Sequence, residues 1–561
     1  ISLGSLAHAQ FDRSKVPTPG AEPEFDLGKF NEFTLDNGLK VIVVENHKVA
    51  RVAYQFRLDR APFKENEKAG LARMAGNLLS AGTEKRTKDA LDEEVGFLGA
   101  SLFTSSTSVY CAGLSRHKSQ LADILQDVVL HPVFPSEELD KLKNQTLSGI
   151  EAGKEDPSSI SSNVTSVVFY GSDHAYGEIE TSESIESITV ADCKDYYSRF
   201  FTPRAGYLII VGDITVSEAK AMATSKFGAW EGHKLVKGKI DIPSRPAQTQ
   251  VSFAHKSGSV QSVISVGYPI ENKPGSKDEV AAQVMNAILG GSSFGARLMQ
   301  NLREDKAYTY GCRSSLSNSP YVARFSAGAS VRNEVTDSAI TEILGEMQRL
   351  ASEMATEEEL NRVKSSLKGA FSRRLEDPQT IASYALSTSL YNLPADHYST
   401  YLKRVEAITL ADVKRVAAEY LTPEKAHIIV VGDGVNVAST LEKFGKVTFY
   451  DAFGKPREAD WSDYGIFEAK LGFNPPLLDA LGNPRYDEAT GELLVDTSVS
   501  AIDLSKRGFT DHEHLDEMQL IHMNGRVYDY NVGRFMSVDP VIQSPGNSQS
   551  VNPYSYIMNN P

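Results

Sequence analysis

The chain has 561 residues, 41% hydrophobic and 23% charged, a balance that fits a soluble globular protein long enough for several domains. Its net charge of -15 weighs against nonspecific binding to nucleic acid or to an anionic membrane surface. No apolar run reaches the ~20 residues that a membrane span needs, and the three cysteines (Cys111, Cys193, Cys312) lack the CxxC spacing of a metal cluster.

The first residues, Ile1 to Gln10, carry an Ala7-His8-Ala9 triplet of the kind that signal peptidases cut after. Residues 1–24 therefore read as a signal-peptide remnant and leader, which implies export to the periplasm or beyond. Phe33 to Val44 forms two strand-like runs around an Asp36-Asn37-Gly38 turn. Arg51 to Leu58 alternates at period two, as a half-buried strand does. Gly70 to Thr83 is apolar and helix-like, interrupted by Arg73, Gly76 and Asn77. Ala100 to Tyr110 reads as a Ser/Thr-rich strand, and Pro135 to Glu151 as a helix behind a Pro-Ser start. Thr189, with an acidic residue in the turn after it, is a predicted N-cap. The Leu208–Val211 run is a predicted buried strand, and Pro243 to Arg245 lies in a predicted linker.

The chain then repeats itself. Glu186 to Asp213 and Glu406 to Asp433 align at a fixed offset without a gap, sharing Ile-Thr-x-Ala-Asp-x-Lys, Thr-Pro and Val-Gly-Asp. Two copies of one α+β unit accordingly fill Phe25 to about Tyr450. The second copy also holds Leu289-Gly-Gly-Ser-Ser-Phe-Gly-Ala-Arg-Leu-Met-Gln-Asn-Leu-Arg-Glu-Asp-Lys-Ala-Tyr-Thr-Tyr-Gly311.

These motifs, in this order, resemble the M16 (insulinase/pitrilysin-like) peptidases. In that family the first-half helix carries His-x-x-Glu-His, two zinc ligands and the general base. Here the corresponding positions read Arg73, Gly76 and Asn77. Guanidinium repels a dication, glycine has no side chain, and asparagine is a poor zinc ligand. The helix that bears the family's third ligand corresponds to Lys143–Asp156, with the expected position near Ser148 or Gly149 and Glu151 close by. The resemblance thus implies no zinc in this chain. The family's substrate-contacting Arg/Tyr pair falls on Arg303 and Tyr310, whose guanidinium and phenol suit an oxyanion and a peptide backbone. Ion pairing of Arg303 with Glu304, and Tyr310 as a strand aromatic, are the structural alternatives. Gly290, Gly291 and Gly295 resemble the glycine-rich loop of a non-catalytic processing-peptidase subunit, or form a helix-entry loop.

Beyond Phe449–Arg457 the character changes. Gly508 to Pro540, with Gly-Arg-Val-Tyr-Asp and Gly-Arg-Phe-Met-Ser-Val-Asp-Pro, resembles the Rhs/YD-repeat core. Gly525 and Gly533 fit hairpin turns, and His512, His514 and His522 read as ordinary motif residues rather than a metal site.

The expected fold class is α+β, two homologous M16-type halves with mixed sheets and packed helices, closing as a clam shell, followed by a β-rich Rhs-like segment. The expected boundaries are 1–24, 25–242, 243–450 and 451–561. The resemblance implies a catalytically silent subunit that pairs with an HxxEH-bearing M16 partner, in a heterodimer or larger assembly. That partner would hold the zinc, this chain would contribute Arg303 and Tyr310, and the substrate would be a peptide or unfolded polypeptide added at a sheet edge near Ala100–Tyr110. The alternatives are a scaffolding subunit that binds no peptide and a carrier part of a polymorphic-toxin protein.

Overall fold

The computed structural model describes residues 30–292 and 295–459, together with the backbone of four short strands in the tail. The expected leader, residues 1–24, lies outside the described residues. The chain divides into two units, Ile1–Tyr464 and Gly465–Pro561, so the contact boundary falls later than residue 450.

In the first half, β1 (Asn31–Thr34), β2 (Lys40–Glu45), β3 (Arg51–Leu58), β4 (Ser101–Ser105), β5 (Ser108–Leu114) and β6 (Gly206–Gly212) form a mixed sheet in the order β1-β2-β6-β3-β5-β4. Gly38 makes the turn into β2 with φ of 91°, a conformation that costs glycine little. The range Ala100–Tyr110 is not one strand. It breaks at Ser106-Thr107 into the β4–β5 hairpin, with Ser105 opposite Ser108.

The second half repeats the plan. β7 (Gln250–His255), β8 (Gln261–Ile270), β9 (Cys312–Leu316), β10 (Ala323–Arg332), β11 (His427–Gly432), β12 (Val447–Tyr450) and β13 (Pro456–Arg457) run in the order β13-β12-β7-β11-β8-β10-β9. The inner order β7-β11-β8-β10-β9 matches β2-β6-β3-β5-β4, and the repeated segments supply β6 and β11 with the helices before them. Those helices begin alike. Thr189 and Asp192 form a reciprocal capping box, as do Thr409 and Asp412, satisfying amides that the first turn leaves without partners. No helix or strand lies between Phe227 and Gln250, where the linker was expected.

The central strands are continuous apolar runs, which require cover on both faces. On β2, Val41 and Val43 face the large core of the first half, while Ile42 and Val44 face the other way. That second face is covered by Ala382 and Ala385 of the helix Pro378–Tyr391, which belongs to the second half. The exchange is reciprocal. The first-half helix Pro157–Tyr170 lays Ile160, Val164 and Phe169 on Ala254, Ile429 and Val431 of the second sheet. Asp156 and Asp377 cap these two helices, each followed by proline at the first helical position. Asn163 Nδ2 also donates to the Ala452 carbonyl at 3.0 Å. The described halves are therefore interlocked by exchanged helices.

All three cysteines are buried and free, and among the described residues no helix is long and apolar enough to cross a membrane. The tail strands β14 (Glu513–Leu515), β15 (Leu520–Met523), β16 (Arg526–Asp529) and β17 (Arg534–Phe535) pair antiparallel in chain order. The predicted turn glycines Gly525 and Gly533, and His512, lie outside the described residues.

His427 opens β11 beneath the exchanged helix, its ring centroid 5.7 Å from that of Phe169. Burial pulls its pKa down to about 4. The unfolded chain, with a pKa near 6.5, binds the proton more readily, so stability is full above about pH 6.5 and falls toward pH 4. Urea unfolding at pH 7 and pH 4.5 should show the wild type losing about 2–3 kcal/mol more than His427→Phe. An equal pH dependence of the two proteins would contradict this placement.

Candidate functional site

The helix Leu71–Leu78 follows β3 and buries Ala72, Met74, Ala75, Gly76 and Leu78. Its N-cap, Gly70, has φ of 102° and provides no capping side chain. Glu65 caps it instead, accepting from Gly70 N at 2.7 Å and Ala72 N at 3.0 Å. Burial raises the Glu65 pKa, and these amide bonds oppose the rise. Glu178 in turn accepts from the amides of Glu65 and Asn66.

Arg73 is half-buried and pairs bidentately with Glu180, Nε donating to Oε1 at 2.8 Å and Nη2 donating to Oε2. This hydrogen bonding raises the Arg73 pKa further. A guanidinium so committed neither ligates a cation nor tolerates one beside it. Asn77 is exposed, and its carbonyl accepts from Ser80 Oγ at 3.3 Å. Among the described residues no group of three or more His, Cys, Asp or Glu is arranged to hold a metal ion. The residues at this position do not fit zinc.

Gly76 shows a second, steric reason. A Cβ at residue 76 would lie 2.1 Å from the Ser106 amide nitrogen and 2.3 Å from the Ser105 carbonyl carbon. The turn of the β4–β5 hairpin thus rests on the helix where a glutamate side chain would begin. The turn is held there from behind, because Tyr196 Oη donates to the Ser106 carbonyl at 2.7 Å and Leu58 N to the Thr107 carbonyl at 2.8 Å.

A cavity of about 640 Å³ opens beside Arg73, walled by Gly149 and Gly153 of the helix Ser136–Gly153, by Glu180, and by Phe453 of the second half. Of the two expected third-ligand positions, Gly149 offers the cavity no side chain and Ser148 Oγ donates to the Asn144 carbonyl at 2.9 Å. Glu151 is not in the lining and pairs with Lys154, its Oε1 2.5 Å from Lys154 Nζ.

Neither Arg303 nor Tyr310 lines this cavity. Arg303 lies on a π-helical stretch, Gln300–Asp305, a form found often at functional sites. Its Nε stands 3.5 Å from Glu304 Oε1. Tyr310 is not a strand aromatic. It precedes β9 and is 91% exposed. Its neighbours are anchored, with Thr309 Oγ1 donating to the Ser330 carbonyl at 2.7 Å and accepting from Gly311 N at 3.1 Å. Gly290, Gly291 and Gly295 serve close contacts. A Cβ on each would come within 2.5 Å of Ser314 N, 2.3 Å of Asn286 Nδ2 and 2.6 Å of Arg362 Nε respectively. Ser293 and Phe294 between them lie outside the described residues.

Residues 40–176 match the family model described as insulinase (peptidase family M16), and residues 187–367 match that of the peptidase M16 inactive domain. Together they span more than half the sequence. The chain is an M16-like protein. It is 24% identical over 412 residues to an uncharacterized zinc protease, YmxG, of Bacillus subtilis, covering 72% of this chain and 98% of that one. It is 22% identical to the non-peptidase homolog YmxG of Helicobacter pylori, covering 74% and 91%. The crystal structure of a peptidase M16 inactive domain from Pseudomonas fluorescens shares the two-half fold at a TM-score of 0.66, with 23% identity over 72% of this chain and 98% of that one.

Sequence reading missed Glu180, although an arginine set on an otherwise apolar helix calls for an acidic partner. It also missed the contact of the hairpin turn with Gly76, for which a glycine at a buried helical position is the signal. Gly76→Ala should cost about 1–3 kcal/mol or more by forcing the hairpin off the helix. Gly149→Ala, with no atom within 4 Å of the added Cβ, should be neutral or stabilise by up to ~1 kcal/mol. Urea unfolding of both variants distinguishes the close contact from a general glycine effect, and equal stabilities would contradict it.

Proposed function

We propose that this chain is a catalytically silent M16 subunit that pairs with an HxxEH-bearing partner and contributes Arg303 and Tyr310 to a composite peptidase site. The observation that carries the proposal is Tyr310, nearly fully exposed on backbone anchored at both neighbours. Burying an aromatic ring is favourable, and an exposed phenol on a fixed support suits contact with another chain. In such a site the Tyr310 hydroxyl and the Arg303 guanidinium donate to the scissile carbonyl oxygen as it gains negative charge. The partner supplies zinc and the general base, which Arg73, Gly76 and Asn77 do not. The name of the Helicobacter pylori relative, a non-peptidase homolog, fits this division of labour.

The substrate in this reading is a peptide or unfolded polypeptide. β4 ends its sheet, with β5 as its one strand neighbour among the described residues, and an extended peptide can add to such an edge. In this reading the chain is exported and the assembly is periplasmic or secreted, which rests on the Ala7-His8-Ala9 triplet. An Rhs-like tail is part of this proposal and rests on the sequence motifs of Gly508–Pro540.

A scaffolding subunit that binds no peptide is the second reading. The Arg303–Glu304 ion pair favours it, since it gives Arg303 a partner within its own chain. Cleavage of a quenched peptide library, by this chain mixed with an HxxEH-bearing M16 subunit and by each alone, separates the two. Activity confined to the mixture, reduced ~10²-fold or more by Tyr310→Phe or Arg303→Ala, is expected. Activity unaffected by both substitutions would leave the chain a scaffold.

A further inference from the structure

The second half contains a cavity that the reading above leaves unused. It measures about 230 Å³ and is walled by the helices Glu279–Asn286, Glu357–Arg374, Pro378–Tyr391 and Tyr401–Ala407. The first three are the topological counterparts of Leu71–Leu78, Ser136–Gly153 and Pro157–Tyr170, so this cavity answers to the one beside Arg73.

Its chemistry is different. Tyr384 stacks on Tyr398, with centroids 3.9 Å apart and planes 9° from parallel, and on Phe371 at 5.8 Å and 10°. Tyr401 packs against Phe371 at 4.7 Å. Glu279 is the one carboxylate in the lining, and it is already engaged. Its Oε1 accepts from Asn318 Nδ2 at 2.7 Å, while Oε2 accepts from Gly275 N at 3.2 Å and stands 3.5 Å from His397 Nε2. His397 is buried, which lowers its pKa and favours the neutral ring.

Two guanidiniums exceed that single acid. Arg404 donates Nη2 to the His397 carbonyl at 2.6 Å and lies 3.9 Å from Glu279, yet its Nε is buried without an acceptor. Arg374 is exposed at the cavity and forms no ion pair among the described residues. Aromatic walls alone would suit a cation as well, but two arginines repel one and favour a planar anion. The volume lies below the roughly 300–1,000 Å³ of drug-sized pockets, which limits an occupant to about one ring.

We propose that this cavity binds a small aromatic carboxylate, its ring against the Tyr384 and Phe371 walls and its carboxylate on Arg374 and Arg404. The proposal stands apart from the composite-site reading and does not depend on it. The test is calorimetric titration of the full chain with 4-hydroxyphenylacetate as probe, beside 4-hydroxyphenylacetamide and cyclohexylacetate. One saturable site is expected, with both analogues and the Arg374→Gln variant weaker by about tenfold or more. Because Arg374 is exposed and holds no structural ion pair, that variant should fold as the wild type does, which its circular dichroism checks. No saturation by ~10 mM probe, or equal binding to Arg374→Gln or to the amide, would overturn the proposal.

Discussion

The exchange of two helices between the halves is the constraint on which the rest of the structure depends. Each sheet has a central strand too apolar to leave either face in water, and each lends a helix to cover its counterpart. Burying an Ile or Val side chain contributes about 1.5–3 kcal/mol, so Ile160 and Val164, with the smaller Ala382 and Ala385 on the other side, hold the halves together. The same helices also shape the cavities. Ser159, Asn163 and Ser166 reach one, and Tyr384 walls the other. Changes in inter-half packing are therefore felt at both sites.

Within this frame the vestigial helix is more than a peptidase site with three letters changed. Arg73 is neutralised by Glu180, and the hairpin turn occupies the space that a side chain at residue 76 would need. Restoring histidines and a glutamate would leave an uncompensated Glu180 and drive a side chain into backbone. The substitutions and the surrounding geometry are mutually consistent, as in an M16-like protein that is not itself a peptidase.

Much of the plan was legible in the sequence because it is local or repeated. The aligned segments at 186–213 and 406–433 carry caps, apolar runs and closing glycines whose physics does not depend on distant residues, and both fold alike. The Leu208–Val211 run announced a buried strand, and Val41–Val44 carries the same continuous apolar pattern. Their cover was not legible, because it comes from a helix far along the chain whose own pattern is weakly amphipathic. The break at Ser106-Thr107 had a signal in its polar cluster, which the strand reading of Ala100–Tyr110 overrode. Gly76, Gly290, Gly291 and Gly295 were read for what they lack in chemistry or gain in flexibility, whereas each accommodates a close approach by atoms from elsewhere. Likewise Phe371, Tyr384 and Tyr401 converge from three separate helices and Tyr398 from the turn between two of them, a convergence no spacing rule reveals.

The central claim is that Tyr310 meets substrate only in the presence of a zinc-bearing partner. A photo-crosslinking residue in place of Tyr310, irradiated with a short unfolded peptide, tests it most directly. The account predicts a peptide adduct at position 310 in the mixture with an HxxEH-bearing subunit, none with this chain alone, and none from the same residue at Phe97, which is 88% exposed. Adducts of equal yield at both positions, or none at 310 in a mixture that forms the complex and cleaves the peptide, would contradict it.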